Sequence, residues 1–254
     1  IRDTDRSRGL GDVYKRQELK DVAQKTTQGN VTGFAMCCLQ NEEGTFNFTP
    51  WLWSTGATSY DINNDNGIKA LTLVKDLVDA GSMSKEVINW TQGDVMNQFI
   101  SGNIAMMVNG PWQVPTMREQ APDLNWDVTL LPKDAEYASC LGGENFGVID
   151  GDNVDAALDF LQFATSKDEV ASYIDDFGYI AARKDVAEGQ FTDDETMQKF
   201  TEEMQYAQPR GPHAQWPEIS DALSLAVNES ITGTSTPADA AAKAQSTIDG
   251  ILAE

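Results

Sequence analysis

The side chains that could carry out catalytic chemistry are few. The chain has 254 residues and a single histidine, His213, which lies in a proline-rich segment. A histidine-based triad or a histidine metal cluster therefore has too few members. Ser82 and Lys85 form a Ser-x-x-Lys pattern, but the Lys-Thr-Gly and Ser-Asp-Asn motifs that accompany it in enzymes do not occur. The sequence predicts no catalytic residue, no metal site and no cofactor.

Tryptophans beside proline or glycine are more informative. Four tryptophans lie close to Pro or Gly, which indicates that they are in turns and not on the apolar face of a helix. They are Trp51, Trp53, Trp112 and Trp216. An indole offers a flat apolar face and one N–H donor, which suits the C–H face of a sugar ring. Convergent polar groups would complete such a pocket. The polar residues that lie in predicted loops, as these tryptophans do, are Glu144, Asn145, Arg183 and Arg210. The alternative is that each tryptophan packs in the core.

Composition limits the partners and the compartment. The formal net charge is -22, which repels phosphate backbones and anionic lipid surfaces, so nucleic acid and membranes are disfavoured. Hydrophobic residues make up 41% of the chain, which is typical of a folded protein. Cys37, Cys38 and Cys140 match no zinc pattern, and an odd number of thiols is unsuited to an oxidising compartment. We expect buried, reduced cysteines over a disulfide, without excluding the latter.

The first seventeen residues differ from the rest of the chain. They are rich in basic residues and have no apolar period and no signal-peptide core, and residues 8–17 resemble a translated sequencing adaptor. We interpret residues 1–17 as a non-native, adaptor-like segment and exclude them from the fold. The alternative is a genuine basic arm.

From Glu18 onward, predicted helices and strands alternate, which favours an α/β architecture. Apolar residues at helical spacing predict a helix over 65–80 that stops at Gly81. Other helices are predicted at 94–101, 154–165 and 167–177, from Thr192 with Glu195 completing a capping box, from Pro217 to Gly233, and from Thr236 to about Leu252. Strands are predicted at 32–40, 104–108, 127–131 and 146–149.

Several segments resemble a known family, in the expected order. Residues 102–112 read Gly-Asn-Ile-Ala-Met-Met-Val-Asn-Gly-Pro-Trp, which resembles the G-x-x-A-M-x-x-x-G-x-W segment of the family 1 bacterial extracellular solute-binding proteins, the maltose-binding group. Residues 48–56 resemble the family's aromatic-Pro-Leu turn, and 142–148 its Gly-Gly strand. Weaker matches are residues 128–132, 178–183, where Ala181 replaces a proline, and 216–219.

The resemblance implies a two-lobed periplasmic-binding-protein fold of type II. It assigns 18–133 and 190–254 to the second lobe, and 134–189 to a returning segment of an incomplete first lobe. The opening of the first lobe and the signal peptide would then be missing from this fragment.

The resemblance also implies a function and a set of ligand contacts. Such proteins bind a sugar or oligosaccharide between the lobes and deliver it to the transmembrane permease subunits of an ABC importer. They lie outside the cytoplasm, in the periplasm or lipid-anchored at the cell surface, and we expect a monomer when full length. The residues that fall on or near ligand positions, or that the aromatic and polar patterns add, are Trp112, Glu144, Asn145, Trp216, Phe48, Trp51, Arg183 and Arg210.

Two other classes of function stay open from the sequence. The same fold could bind a non-sugar solute such as a polyamine, because indoles also bind cations and the chain is acidic. An iron chelate is less well supported, since we identify no tyrosine cluster, and phosphate is a further candidate. A secreted hydrolase on an α/β core is disfavoured because no nucleophile–base pair is evident.

Overall fold

The structure is a computed structural model and describes residues 15–254. Its α-helices are α1 (Arg16–Thr26), α2 (Glu42–Trp53), α3 (Asp65–Asp79), α4 (Gln92–Ile100), α5 (Val114–Gln120), α6 (Val154–Ala164), α7 (Lys167–Tyr173), α8 (Lys184–Ala187), α9 (Glu195–Glu203), α10 (Trp216–Thr232) and α11 (Pro237–Leu252). Its strands are β1 (Thr32–Ala35), β2 (Ile104–Met107), β3 (Ser139–Cys140) and β4 (Ala207–Gln208).

The strands form two short parallel pairs. β1 pairs with β2, with Phe34 opposite Met106, and β3 pairs with β4. Parallel neighbours need long connections, and the connections here contain helices, as expected for an α/β fold. The prediction of an α/β chain is confirmed, although helices dominate the described residues.

The chain divides into two compact units. The larger unit contains residues 15–109, 123–141 and 203–254, and the smaller contains 110–122 and 142–202. The boundaries between these units differ from the predicted boundaries between the lobes, which follow residues 133 and 189. The assignment of chain segments to a first and a second lobe stays a prediction.

The core of the larger unit is built mainly from four helices. α10 packs against α2, α3 and α11, and α11 also packs against α3. Pro217 lies in the first turn of α10, and Gly233 ends it in the left-handed conformation, as the sequence indicates. Thr236 caps α11 by accepting a hydrogen bond from the Asp239 amide at 3.1 Å. These two helix predictions are confirmed.

Helix α2 begins with a strong cap and tolerates an internal proline. The Asn41 side chain accepts hydrogen bonds from the amides of Glu43 and Gly44 at 3.0 and 3.1 Å. Pro50 has no N–H to offer the helix, but the Thr49 hydroxyl donates to the Phe46 carbonyl at 3.3 Å. Because this segment is helical, the prediction of a turn at residues 48–56 is wrong for most of its length.

The smaller unit has a small core. Val170, Ala181 and Val186 are buried together in it, and Tyr173 and Ile174 are among the residues that pack against them. Helix α6 has no buried residue. Its large apolar side chains Leu158, Phe160 and Phe163 are all more than half exposed, so this helix adds little hydrophobic stabilisation to the unit.

Two predicted strands are not formed. Residues 127–131 and 146–149 have no strand conformation in the structure, and Ile149 is 91% exposed. A strand gains most of its stability from pairing and from burial of one face, and neither is available at Ile149. Strand β1 also ends at Ala35, earlier than predicted. Beyond it, the Cys38 amide donates to the Val87 carbonyl at 3.0 Å, and Val87 lies in a 3-10 turn, Lys85–Asn89, and not in a strand.

The helix predictions differ from the structure mainly at their ends. α3 and α6 match closely, whereas α7 ends at Tyr173 and a 3-10 turn, Asp175–Phe177, follows it. The predicted capping box of Thr192 and Glu195 is wrong. Helix α9 begins at Glu195, and the Asp194 carboxylate accepts from the Met197 amide at 3.1 Å, so Asp194 provides the cap.

Part of the excluded amino-terminal segment belongs to the folded chain. Residues 1–14 lie outside the described residues, but Arg16 begins helix α1 and is buried. Its Nη2 donates to the Ser54 hydroxyl at 2.7 Å, whereas Nε and Nη1 find no partner among the described residues. Burial lowers the pKa of Arg16 to about 10. The fold therefore starts earlier than the predicted boundary at residue 17, with a costly buried cation at that point.

All three cysteines are buried and free, as expected. Burial raises the pKa of Cys37 to about 12 and that of Cys140 to about 11, and it raises that of Cys38 as well. A thiol with a raised pKa holds little thiolate at neutral pH and reacts slowly. These side chains act as small apolar core residues.

The difference in burial predicts unequal protection of the amides. Hydrogen exchange of the chain should be slow in β2 and α10, whose apolar residues are buried, and fast across residues 146–177, where α6 buries none. Exchange measured by mass spectrometry on one sample compares both regions directly. Equal protection of α6 and α10 would contradict this prediction.

Candidate functional site

A carboxylate at the start of α2 organises one group of side chains in the larger unit. The Trp216 indole N–H donates to both carboxylate oxygens of Glu42, at 3.0 and 3.1 Å. Arg210 forms an ion pair with Glu42, and the Ser220 hydroxyl donates to it. Glu42 lies in the first turn of α2, where the helix dipole favours a negative charge.

Arg210 also covers the face of an aromatic ring. Its guanidinium carbon lies 4.8 Å from the centroid of Phe46, a cation–π distance. Phe46 follows Glu42 by four residues on α2, so both side chains lie on the same face of the helix. Arg210 therefore bridges two successive turns of α2.

Two more rings extend this group. Tyr60 meets Trp216 edge-on, with centroids 6.5 Å apart, and lies 6.4 Å from the His213 ring. His213 Nδ1 accepts a hydrogen bond from the Gln215 amide at 3.1 Å. We call Glu42, Phe46, Tyr60, Arg210, His213, Trp216 and Ser220 the Glu42 cluster.

The Glu42 cluster borders the end of β3. Burial raises the pKa of Cys140, and the charges of Arg210 and Glu42 act on that thiol in opposite directions. The cluster is itself partly open, since the Glu42 side chain is 44% exposed and that of Arg210 is 21% exposed. It thus combines half-buried aromatic rings with a polar, partly solvated centre, the composition of a pocket for a polar organic solute.

The smaller unit carries a second aromatic group, around Trp112. The centroid of Trp112 lies 6.4 Å from that of Tyr179, which lies 6.4 Å from Phe177. Burial raises the pKa of Tyr179, and the negative charge of Glu144 raises it further. We call Trp112, Phe177 and Tyr179 the Trp112 cluster.

Two glycines make the Trp112 cluster possible. A Cβ on Gly110 would lie 2.1 Å from two atoms of the Trp112 ring, so the indole packs directly over this residue. Gly178 has φ +67°, and a Cβ there would lie 2.6 Å from the Pro111 carbonyl oxygen. Only glycine fits that approach, which brings Tyr179 beside Trp112.

The polar residues predicted in the smaller unit have different surroundings. Glu144 and Asn145 are exposed in a segment without regular structure. The Arg183 guanidinium donates to both oxygens of Asp185, at 3.0 and 2.9 Å, and to the Thr165 carbonyl at 3.1 Å. Arg183 thus holds the start of α8 to the end of α6.

Phe48 and Trp51 are core residues, which corrects their prediction as ligand contacts. Phe48 is 0% exposed and Trp51 is 2% exposed, and Trp51 meets Phe34 edge-on at 6.1 Å. The same holds for Trp53, whose indole N–H donates to the buried Ser59 hydroxyl at 3.1 Å. The proline beside them does not mark a turn, because it lies within α2.

The structure joins two predicted residues and adds others that the sequence analysis missed. Arg210 and Trp216 meet at Glu42, which no motif distinguished from the other acidic residues. Phe46 and Tyr60 are also new, although Phe46 lies close to the aromatic run 48–53. Tyr179 falls within the resembling segment 178–183 and could have been found there.

Other kinds of site find no support in the part of the chain that the structure describes. Residues 15–254 contain no group of three or more histidine, cysteine or acidic side chains arranged to hold a metal ion. Within the same range, no helix is long and apolar enough to cross a membrane.

Comparison with solved structures defines the class of protein. Maltose-bound MalE3 of Thermotoga maritima matches with a TM-score of 0.85 and 23% identity, over 99% of this chain and 69% of that one. The tagatose-bound ABC transporter solute-binding protein of Thermotoga lettingae gives a TM-score of 0.82 and 25% identity, over 96% and 67%. The GacH receptor of Streptomyces glaucescens gives 0.81 and 25%, over 97% and 66%. The fold is that of the type II periplasmic binding proteins.

The sequence itself places the chain in a family. Residues 12–199 match the profile described as bacterial extracellular solute-binding protein, and the chain belongs to this family. A protein of Brucella abortus that is named as a binding protein is 27% identical over 207 residues, which is 76% of this chain. The chain spans half the length of that relative. The predicted resemblance to extracellular solute-binding proteins is confirmed.

Gly178 offers a test of the Trp112 cluster. Gly178→Ala should destabilise the smaller unit by about 1–3 kcal/mol, because alanine is strained at positive φ and its Cβ would strike Pro111. Faster hydrogen exchange in residues 167–187 measures the effect. Gly189→Ala is the control, since Gly189 has an ordinary φ and its nearest atom would be 3.7 Å away. Equal exchange in the two variants would refute the role of Gly178.

Proposed function

We propose that this protein is the extracytoplasmic receptor of an ABC importer and binds a sugar or oligosaccharide in the inter-lobe cleft of the full-length fold. The observation that carries the proposal is that each unit has its own half-exposed aromatic cluster with polar neighbours. Trp216 lies beside Glu42 and Arg210 in the larger unit, and Trp112 lies beside Tyr179 in the smaller. A ring face with polar groups at its edge suits a pyranose or furanose.

The solved relatives support the choice of ligand. The Thermotoga lettingae protein is bound to α-D-tagatose, and the GacH receptor of Streptomyces glaucescens is described in complex with acarbose. Both are 25% identical to this chain. We extend a carbohydrate ligand to this protein, with delivery to the permease subunits and no catalytic turnover.

The acidic composition keeps a polyamine as the second candidate. A polyamine would need carboxylates free to receive its ammonium groups. In the Glu42 cluster the carboxylate already accepts from Arg210, Trp216 and Ser220, which favours the sugar.

A ligand screen on the full-length gene product separates these functions. Maltose, D-tagatose, D-glucose, spermidine and putrescine are tested for a rise in melting temperature, because a ligand that binds the native state stabilises it. A rise with a sugar and not with either amine supports the proposal, and the opposite result overturns it. Recovery of an altered sugar after incubation would instead indicate an enzyme.

Trp112 should contribute directly to binding. Trp112→Ala should weaken sugar binding by about 1–3 kcal/mol, the range for loss of a well-packed aromatic contact, as measured by calorimetry. Trp90→Ala is the control, since Trp90 is a partly exposed tryptophan outside both clusters. Unchanged affinity in Trp112→Ala would remove Trp112 from the site.

A further inference from the structure

The charged groups of the Glu42 cluster are paired with each other. One carboxylate oxygen of Glu42 accepts from Arg210 and Trp216, and the other accepts from Ser220 and Trp216. The guanidinium of Arg210 has the Glu42 carboxylate on one side and the ring of Phe46 on its face. The two side chains together present no net charge.

Neighbouring acids of the larger unit have partners of their own. Glu43 accepts from the Gln92 amide at 2.7 Å, Asp221 accepts from the Gln40 amide group at 3.1 Å, and Glu254 accepts from Gln215 at 2.8 Å. Glu42 is the acid that contacts the Trp216 indole, and Arg210 is the cation paired with it.

We propose that the Glu42–Arg210 ion pair makes this site selective for uncharged sugars, with Glu42 as the residue that sets the selectivity and positions Trp216. The inference rests on the proposed sugar-binding function. An unpaired arginine would bind a sugar carboxylate with its two-pronged N–H groups. Here the carboxylate of an acidic sugar must displace Glu42 from Arg210 or lie close to the like charge of Glu42. The ammonium group of an amino sugar must likewise displace Arg210 from Glu42 or lie close to the like charge of Arg210.

Uncharged hydroxyl groups avoid this competition. A hydroxyl oxygen can accept from a guanidinium N–H of Arg210 that Glu42 does not use, so it binds while the ion pair stays intact. Both charged side chains are partly exposed, which leaves such positions open to a solute. The pair then serves as a polar rim beside the Trp216 indole.

The test compares neutral and charged forms of the same sugars on the full-length gene product. The probes are maltose with maltobionate, D-glucose with D-glucuronate and D-glucosamine, and D-galactose with D-galacturonate and D-galactosamine. The ratio of dissociation constants within each set is the readout, because damage that is only structural weakens all members alike. We expect the wild-type protein to bind the neutral member most tightly.

Glu42→Gln removes the countercharge but keeps an oxygen that can accept from Trp216. It should shift the ratio toward the acidic sugar by about tenfold, as expected for one uncompensated charge at a partly solvated site. Arg210→Gln is the mirror variant and should shift the ratio toward the amino sugar. The double variant has neither charge and should return the ratio to that of the wild type.

Each outcome has a distinct meaning. Wild-type protein that binds an acidic or amino sugar as tightly as its neutral parent overturns the inference, as does an unchanged ratio in both single variants. If Glu42→Gln does not fold, as judged by circular dichroism, Arg210→Gln alone decides. If the wild-type protein binds no sugar, the proposed function fails and this inference fails with it. If it binds sugars but the ratios of dissociation constants differ from those expected, only this inference fails.

Discussion

The Glu42 carboxylate joins two parts of the chain that lie far apart in sequence, the start of α2 and residues 210–220. The Asn41 cap fixes the start of α2, and Glu42 lies in its first turn. From there it holds Arg210 in the loop before α10, and Trp216 and Ser220 in α10 itself. α10 in turn packs on α2, α3 and α11. The orientation of the half-buried indole therefore depends on the helix packing that forms the core of the larger unit.

The smaller unit reaches a comparable arrangement with less core. Its buried cluster is small, and α6 contributes no buried residue. At the aromatic rings of this unit, close contacts of the glycine backbone take the place of a large buried core. Gly178 lies against Pro111, and Gly110 lies under the Trp112 ring. Backbone conformation thus positions Trp112 and Tyr179, while buried side chains position Trp216.

Local signals in the sequence predicted most helices well. α3 repeats its apolar residues every three to four positions, and Gly233 and Thr236 mark the turn between α10 and α11. These features depend on residues within a few positions of each other. Strands were less predictable, because 146–149 has a strand-like composition and yet finds no partner strand among the described residues. Pairing is a property of two segments, and one segment does not encode it.

For the candidate site, the sequence by itself determined the family and predicted ligand contacts that include Trp112, Arg210 and Trp216, which stay a prediction. Family motifs and exposed-looking aromatic residues are local features, so they can be read from one segment at a time. Only the tertiary structure showed that Phe48 and Trp51 are buried and that Glu42 receives Arg210 and Trp216. Glu42 lies 168 positions from its ion-pair partner Arg210 and 174 from Trp216, and a single stretch of sequence does not record which of its side chains such distant partners will cover.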